Sequence, residues 1–496
     1  MTGTDESNES ERKNMKHTLT LLTTLLLAPL AALEAASAKP NVLFILADDL
    51  GWRDLGCCGS KFYDTPNIDR LAARGVRFTN AYSANPYCSP TRASILTGLY
   101  PARIGLVSAS AHSAKVNLKK QLYASRPADH RLIPPQPVTR LGTDRVTLAR
   151  AFKAAGYATG HFGKWHLGEA PYDPLQQGFD VDIPHTSAGG PPGGYLDASR
   201  LMTQAGLTAR EGEHLEDRMA EEAATWMKAN KDRPFFLNYW AFSVHGPWQG
   251  KPDYVSVFSN KADPSYDQRH PVYAAMVKSL DDAVGRLLTT LDELKLTERT
   301  IIVFTSDNGA VARPDKRPGP GAAWANVPLT SNAPLREGKG SIYEGGTRVP
   351  TIITWPPALP AGRTSKALFS SVDFFPTLLE LCRLPIPEGA KFDGVSQVAA
   401  LKNEAAPREA IYNYYPYDET AASVRRGNWK LIRFFCANPD FTDRIELYDL
   451  AADSGETRNL AADAPEKARE LQGLLADWLQ QTEAVIPIPN PDYKGP

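Results

Sequence analysis

An α/β fold, a sheet with helices on both faces, is what this chain predicts, and three observations predict it. Continuous apolar runs of strand length recur along the chain, and the first is Asn41-Val42-Leu43-Phe44-Ile45-Leu46-Ala47. Such runs suit parallel strands buried on both faces. Segments with helical spacing lie between the runs, which is the alternation of a covered parallel sheet. Each run stops abruptly at polar residues, and in open α/β sheets ligands bind outside the carboxyl ends of the strands.

In chain order, the first run ends in Asp48-Asp49, and a helical pattern follows over residues 65–74. Cys88-Ser89-Pro90-Thr91-Arg92 opens a further helix: Pro90 suits its first turn, where a missing N–H costs nothing, and Gly98 suits its C-terminal stop. Cys88 then lies at a helix N-terminus, where unpaired N–H groups favour an anion. Arg92 lies four residues on, so one helical face presents both side chains to the same anionic group. A buried structural cysteine ahead of an ordinary amphipathic helix fits the same five residues.

The helical pattern at 147–155 precedes a short run, Tyr157-Ala158-Thr159, which leads to Lys164-Trp165-His166. The run at 234–240 leads to His245-Gly246-Pro247. A long helix follows over 273–294, with Met276, Leu280, Val284, Leu287 and Leu291 on one side. The run at 300–305 ends in Asp307-Asn308-Gly309. Pro- and Gly-rich stretches at 184–194 and 313–321 are loops suited to border a substrate entrance. Beyond residue 395 the texture changes to short strands at 424–426, 430–435 and 445–448. An amphipathic helix over 465–482 closes the chain, with Leu471, Leu474, Leu475, Trp478 and Leu479 on its apolar side.

The 496 residues, 42% hydrophobic and 22% charged, support a large buried core. A net charge of −1 gives no electrostatic case for nucleic acid as a partner, so any anion selectivity is local. Lys16 and His17 precede an apolar run at 19–33 broken by Pro29, and Ala36-Ser37-Ala38 offers a small-residue cleavage site. That pattern predicts an N-terminal extension and secretory signal over residues 1–38, cleaved near Ala38, with no membrane span left afterwards. The product is periplasmic or secreted, and Met15 is an alternative start. With five cysteines in an exported chain, no bridge is assigned.

Asp48, Asp49, Asp307 and Asn308 place four hard oxygen ligands on two strand ends, which suits calcium or magnesium better than zinc. Lys164 and Lys339 add cations able to hold tetrahedral oxygens, and His166 and His245 can move protons near neutral pH. Taken singly, an Asp-Asp pair caps a helix or forms a turn, and a lone His or Lys is surface or packing.

The motifs occur together and in order: Asp48-Asp49, the Cys88-x-Pro90-x-Arg92 run, Gly163-Lys164-Trp165-His166-Leu167-Gly168, His245-x-Pro247, Ser306-Asp307-Asn308-Gly309, then Gly338-Lys339-Gly340 before Glu344-Gly345-Gly346-x-Arg348. In this the chain resembles the type I sulfatases of the alkaline phosphatase-like superfamily. The resemblance implies a large mixed, mostly parallel sheet sandwiched by helices in a catalytic domain over 39–394. It implies a small α+β subdomain over 395–496, with a four-stranded antiparallel sheet and a helix.

It also implies that Cys88 is oxidised to formylglycine by a formylglycine-generating or anaerobic sulfatase-maturing enzyme. One Ca²⁺ would be held by Asp48, Asp49, Asp307, Asn308 and residue 88. Arg92 would orient the formylglycine, while Lys164 and Lys339 would bind the sulfate oxygens. His245, helped by Lys339, would protonate the departing alcohol, and His166 would take the proton when sulfate is released from the formylglycine.

Tyr63-Asp64-Thr65-Pro66-Asn67 and the close of the chain resemble the bacterial arylsulfatase A and N-acetylgalactosamine-6-sulfatase branch, which implies a sulfated saccharide or an aryl sulfate as substrate. Trp248, His185, Arg103, His112 and Tyr415 lie near motif-bearing loops and serve equally for reading a sugar or for packing. A phosphomonoester or phosphonate hydrolase of the same superfamily, a non-catalytic glycan-binding relative and a membrane-anchored form are the rival readings.

Overall fold

A computed structural model describes residues 39–314 and 324–495. The signal-peptide expectation, and residues 315–321 of the second loop expectation, lie outside them. Eight strands form one sheet: β1 (Asn41–Ala47), β2 (Val76–Tyr82), β3 (Ala158–Gly163), β4 (Val181–Ile183), β5 (Phe235–Trp240), β6 (Thr300–Ser306), β7 (Thr351–Thr354) and β8 (Arg363–Ser370). Their order is β8-β2-β7-β6-β1-β5-β3-β4. Neighbours are parallel except around β7, which runs antiparallel to both β6 and β2.

The central strand shows why both faces are covered. Leu43, Ile45 and Ala47 point to one side and Val42, Phe44 and Leu46 to the other, and every one is buried. The first side packs on α1 (Pro66–Ala73), and the second on α2 (Cys88–Thr97) and α3 (Leu148–Ala154). Further along the chain, α4 (Leu215–Ala229) and α5 (Pro271–Glu293) join α1, and α6 (Phe374–Leu381) joins α2 and α3. In α5, Leu280, Val284, Leu287 and Leu291 are all fully buried, so truncating any of the three leucines to alanine would cost about 2–5 kcal/mol.

Four main-sheet strands escape the periodicity reading for identifiable reasons. In β2 buried and half-buried residues alternate, so no continuous apolar run exists. Strands β4 and β7 are three and four residues long, and β8 carries exposed Thr364 and Lys366.

Four further strands, β9 (Ala410–Tyr415), β10 (Ala421–Arg426), β11 (Trp429–Phe434) and β12 (Arg444–Asp449), pair in chain order as an antiparallel sheet. Gly427, at φ 59, makes the tight turn between β10 and β11. One face of this sheet packs on α7 (Pro465–Gln481) through Leu471, Leu475 and Trp478, in a cluster that includes Tyr100 and Val372. The other face packs Ile432, Phe434 and Tyr448 on Ile342 and Tyr343. Among the described residues all five cysteines are free, and no helix is long and apolar enough to cross a membrane.

Candidate active site

Strand register creates the centre. Ala47 of β1 lies opposite Ser306 of β6, so Asp48-Asp49 and Asp307-Asn308 leave neighbouring strands at the same level. All four are buried. Asp49 adopts φ 63, a left-handed conformation that Asp tolerates better than most residues. Its N–H donates to Asp307 Oδ1 at 3.2 Å, and its Oδ1 accepts from Asn308 Nδ2 at 2.8 Å.

Cys88 is the first residue of α2, after an extended Tyr87, and Gly98 ends the helix at φ 68. The helix is buried along its whole length. The Sγ of Cys88 and carboxylate oxygens of Asp48 and Asp307 lie within 4.8 Å of one another. One turn on, Arg92 donates Nε–H to Asp307 Oδ2 at 2.8 Å and Nη1–H to the Lys164 carbonyl at 2.6 Å, with Nη2 in ion-pair contact with the same Asp307 oxygen at 2.8 Å. The guanidinium is thus engaged by the protein itself and ties α2 to the ends of β6 and β3.

At the end of β3, Gly163 has φ 110, and a Cβ there would lie 2.0 Å from the Trp240 carbonyl, so the strands close only over glycine. Lys164 Nζ then reaches Asp48 Oδ2 at 2.5 Å. His166 points Nδ1 at Cys88 Sγ, 3.2 Å away, and Nε2 at His112 Nδ1, 2.8 Å away. After β5, His245 sits with Nε2 3.9 Å from Asp49 Oδ2 and Nδ1 2.6 Å from the Gly246 carbonyl. Lys339 Nζ lies 2.7 Å from Asp49 Oδ1. The 184–194 loop crosses both histidines: a Cβ on Gly189 would lie 2.9 Å from His166 Nε2, and one on Gly190 would lie 3.1 Å from His245 Nδ1.

Burial and charge set the protonation states. Burial works against ionising Asp49, but Lys339, His245 and Lys164 outweigh it and hold the carboxyl below its usual range. Burial and then Asp48 push Asp307 up to about 6, against Arg92. Burial pushes the Cys88 thiol up, with Lys164 and Lys339 opposing. Burial, then Lys164, lowers both His166 and His245, the latter to about 3, so both imidazoles rest neutral. A neutral His245 donates Nδ1–H to the Gly246 carbonyl and leaves Nε2 free to face Asp49.

Two oxygens in this network are unspent. Asp48 Oδ1 and Asn308 Oδ1 are buried without a hydrogen-bond partner, which is costly unless something else meets them. With the carboxylates of Asp49 and Asp307 beside them, these hard donors fit a divalent cation of the Ca²⁺ or Mg²⁺ type. The centre opens to a cleft of about 820 Å³ lined by Asp49, Tyr87, His245, Trp248, Arg269 and Lys339. That volume lies within the ~300–1,000 Å³ range of small-molecule sites.

All ten motif positions therefore fall around one centre. Of the five residues near the motifs, Trp248 lines the cleft and His112 stacks on His166, with ring centroids 5.1 Å apart. Arg103 is paired with Asp393, His185 with Asp182, and Tyr415 donates to Asp418. Glu216 escapes sequence reading entirely. It is buried and accepts from Tyr239 Oη at 2.9 Å and from the Ser243 N–H at 2.8 Å, which braces the turn before His245.

The Sulfatase family model matches residues 40–384, and the model described as N-sulphoglucosamine sulphohydrolase, C-terminal, matches residues 338–484. Canis lupus familiaris N-acetylgalactosamine-6-sulfatase is 34% identical over 425 residues, which is 82% of this chain and 74% of that one. Homo sapiens arylsulfatase A is 32% identical over 526 residues, covering 95% of this chain and 94% of that one. The crystal structure of Ps i-CgsB in complex with k-i-k-neocarrahexaose superposes with a TM-score of 0.70 at 28% identity, covering 89% of this chain and 93% of that one.

Proposed function

The chain belongs to the sulfatase family, and from that premise we propose that it removes O-sulfate from a sulfated carbohydrate, and from aryl sulfates, using a formylglycine made from Cys88 and one bound Ca²⁺. The observation that carries this reading is the pair of unspent buried oxygens, Asp48 Oδ1 and Asn308 Oδ1, at the strand ends where carboxylate oxygens of Asp48 and Asp307 lie within 4.8 Å of Cys88 Sγ. Ca²⁺ held by Asp48, Asp49, Asp307, Asn308 and residue 88 would supply positive charge against the sulfate oxygens. Formylglycine, once formed by a maturing enzyme, supplies as its hydrate an oxygen nucleophile that a cysteine cannot.

The remaining roles fall to this chain's own groups. Arg92 anchors α2 to Asp307, which fixes residue 88 beside the Asp48 and Asp307 carboxylates. Lys164 and Lys339 hold ammonium groups against Asp48 and Asp49, within reach of an anion seated between them. His245 turns Nε2 toward the cleft and, helped by Lys339, delivers a proton to the departing alcohol. His166, with Nδ1 at 3.2 Å from the residue 88 side chain, takes the proton released there. Saccharide as substrate is supported by the names of the relatives and by the neocarrahexaose bound in Ps i-CgsB.

The proposal includes secretion or export to the periplasm after cleavage near Ala38, with neither a retained membrane span nor a nucleic-acid partner. It includes a catalytic domain over 39–394 and a C-terminal subdomain over 395–496.

Mass spectrometry of the Cys88 peptide first establishes conversion. Turnover of p-nitrophenyl sulfate and p-nitrophenyl phosphate by converted protein then tests the reaction, and a panel of defined sulfated saccharides tests the substrate. Sulfate is expected to be cleaved faster; faster phosphate cleavage would make this chain a phosphohydrolase of the superfamily.

A further inference from the structure

We infer that a buried ion cluster on the small sheet, formed by Lys430 and Glu456, positions the reaction centre by clamping the turn Glu344–Thr347. Lys430, on β11, is 3% exposed, and its Nζ lies 3.1 Å from Glu344 Oε1 and 2.8 Å from Glu456 Oε1. The other Glu456 oxygen accepts the Glu344 N–H at 2.7 Å. Glu344 is held from the main sheet as well, since Tyr82 Oη on β2 donates to its Oε2 at 2.6 Å. One carboxylate is therefore gripped from both sheets.

What this turn supports gives the grip a purpose. The Gly346 carbonyl accepts from the N–H of Gly309, the neighbour of Asn308, at 2.9 Å. The Thr347 carbonyl accepts from the Ser83 N–H at 2.8 Å, on the segment that leads to Cys88. The Gly345 N–H donates to the Arg336 carbonyl at 2.9 Å and closes the loop that carries Lys339. These contacts are backbone on backbone: a Cβ on Gly309 would lie 2.0 Å from the Gly345 carbonyl, and one on Gly346 would lie 1.9 Å from the Ser341 carbonyl. The buried Asn332 amide, donating to the Gly345 and Glu337 carbonyls, ties the turn to the Lys339 loop a second time, so a shift of the turn is passed on to Asn308 and Lys339.

The small sheet also presses Ile432 and Phe434 on Ile342 and Tyr343, directly after that loop. The C-terminal family model accordingly spans residues 338–484, joining the Lys339 loop to the small sheet in one unit. Apolar side chains could fill the same space at equal or better stability, so what the ions add is direction. Each charge fixes where the Glu344 carboxylate and N–H must sit.

Lys430 and Glu456 touch neither cleft nor cation ligand and act as positioning residues. The inference rests on the proposed roles of Asn308 and Lys339. Glu456→Gln and Lys430→Met, with Lys430→Arg as the conservative control, provide the test in full-length converted protein. In both non-conservative variants kcat for p-nitrophenyl sulfate is expected to fall about 10–100-fold with KM little changed. Calorimetric Ca²⁺ affinity, measured on unconverted protein, is expected to weaken by about tenfold, and Lys430→Arg should restore most of both.

Should Lys430→Met fail to fold, Glu456→Gln decides alone, because it keeps the side-chain shape. Folded Glu456→Gln protein with kcat and Ca²⁺ affinity within twofold of wild type would overturn the inference. Converted wild-type protein without sulfatase turnover would instead sink the functional reading, and the change in Ca²⁺ affinity would still report on the clamp.

Discussion

Two buried clusters of opposite charges sit in this molecule, one at the strand ends and one beneath the small sheet. At the strand ends, Arg92, Lys164 and Lys339 face Asp48, Asp49 and Asp307. Beneath the small sheet, Lys430 and Arg425 face Glu344 and Glu456. The components match, and so does their burial. In the second cluster each Glu344 and Glu456 oxygen has a cation, a hydroxyl or an N–H within 3.1 Å, although Glu456 Oε1 and Arg425 Nη1 make no hydrogen bond there. In the first, Asp48 Oδ1 and Asn308 Oδ1 have no such partner. A buried charge network marks a reaction centre when some of its oxygens have no protein cation or donor within reach and a cleft reaches it; charge and burial alone do not separate the two regions.

Perturbing each cluster should break the molecule in a different way. The largest effect is on chemistry: Cys88→Ser is expected to lower sulfate-ester turnover on the order of 10⁴-fold or more, while circular dichroism and Tm stay near wild type. Turnover within tenfold of wild type would refute the nucleophile assignment. Next comes stability, where Lys430→Ala leaves two carboxylates buried without their ammonium and should cost about 3–5 kcal/mol in urea unfolding. Lys164→Ala in excess Ca²⁺ should cost clearly less, because a cation can take over at Asp48. Equal losses would erase the contrast between the clusters.

Third in size is the response to chelation. Adding EGTA to protein held in Ca²⁺ at about 100 times Kd should remove roughly 2.7 kcal/mol of stability, seen as a drop in Tm, and Asn308→Ala should blunt that drop. A chelator-insensitive wild type would mean that the unspent oxygens hold no cation.

The smallest effect is pH dependence in the second cluster. Burial pushes the Glu456 carboxyl up from 4.5 to about 7 against the pull of Lys430, with Glu344 adding to the rise. Native protein then binds more protons than unfolded chain between those values, so this stability is present below pH 4.5 and lost as pH climbs through 7. Arg425 and Tyr448 face the same carboxylate. Glu456→Gln should flatten the Tm profile by a few degrees across that window, and an unchanged slope would mean Glu456 does not cause it.

Legibility in the sequence followed the range of the interaction. The strands β1, β5 and β6 could be read because both faces are buried, which forces a continuous apolar run. The start of α2 at Cys88 and its stop at Gly98 could be read because proline and glycine act within a turn. Strands β2, β4, β7 and β8 could not, since β2 is half-buried, β4 and β7 are short and β8 carries polar residues at the sheet edge. His112 stood among five sugar-reading candidates, and only the fold brings it across 54 residues to His166. Glu216, Lys430 and Glu456 carry no local signal, because their partners come from other parts of the chain.

The sequence by itself determined the buried strands β1, β3, β5 and β6, that Asp48-Asp49 and Asp307-Asn308 terminate two of them, and that a cysteine opens a helix which a glycine closes. These are consequences of side-chain periodicity and backbone preference, which act over a few residues. Only the tertiary structure decided that Ala47 and Ser306 share a level, that Arg92 is consumed by Asp307, and that Lys164 and Lys339 take different aspartates. It also decided which oxygens were left over. Hydrogen-bond and charge balance is settled between side chains distant in sequence, and it exists only once the strands are in register.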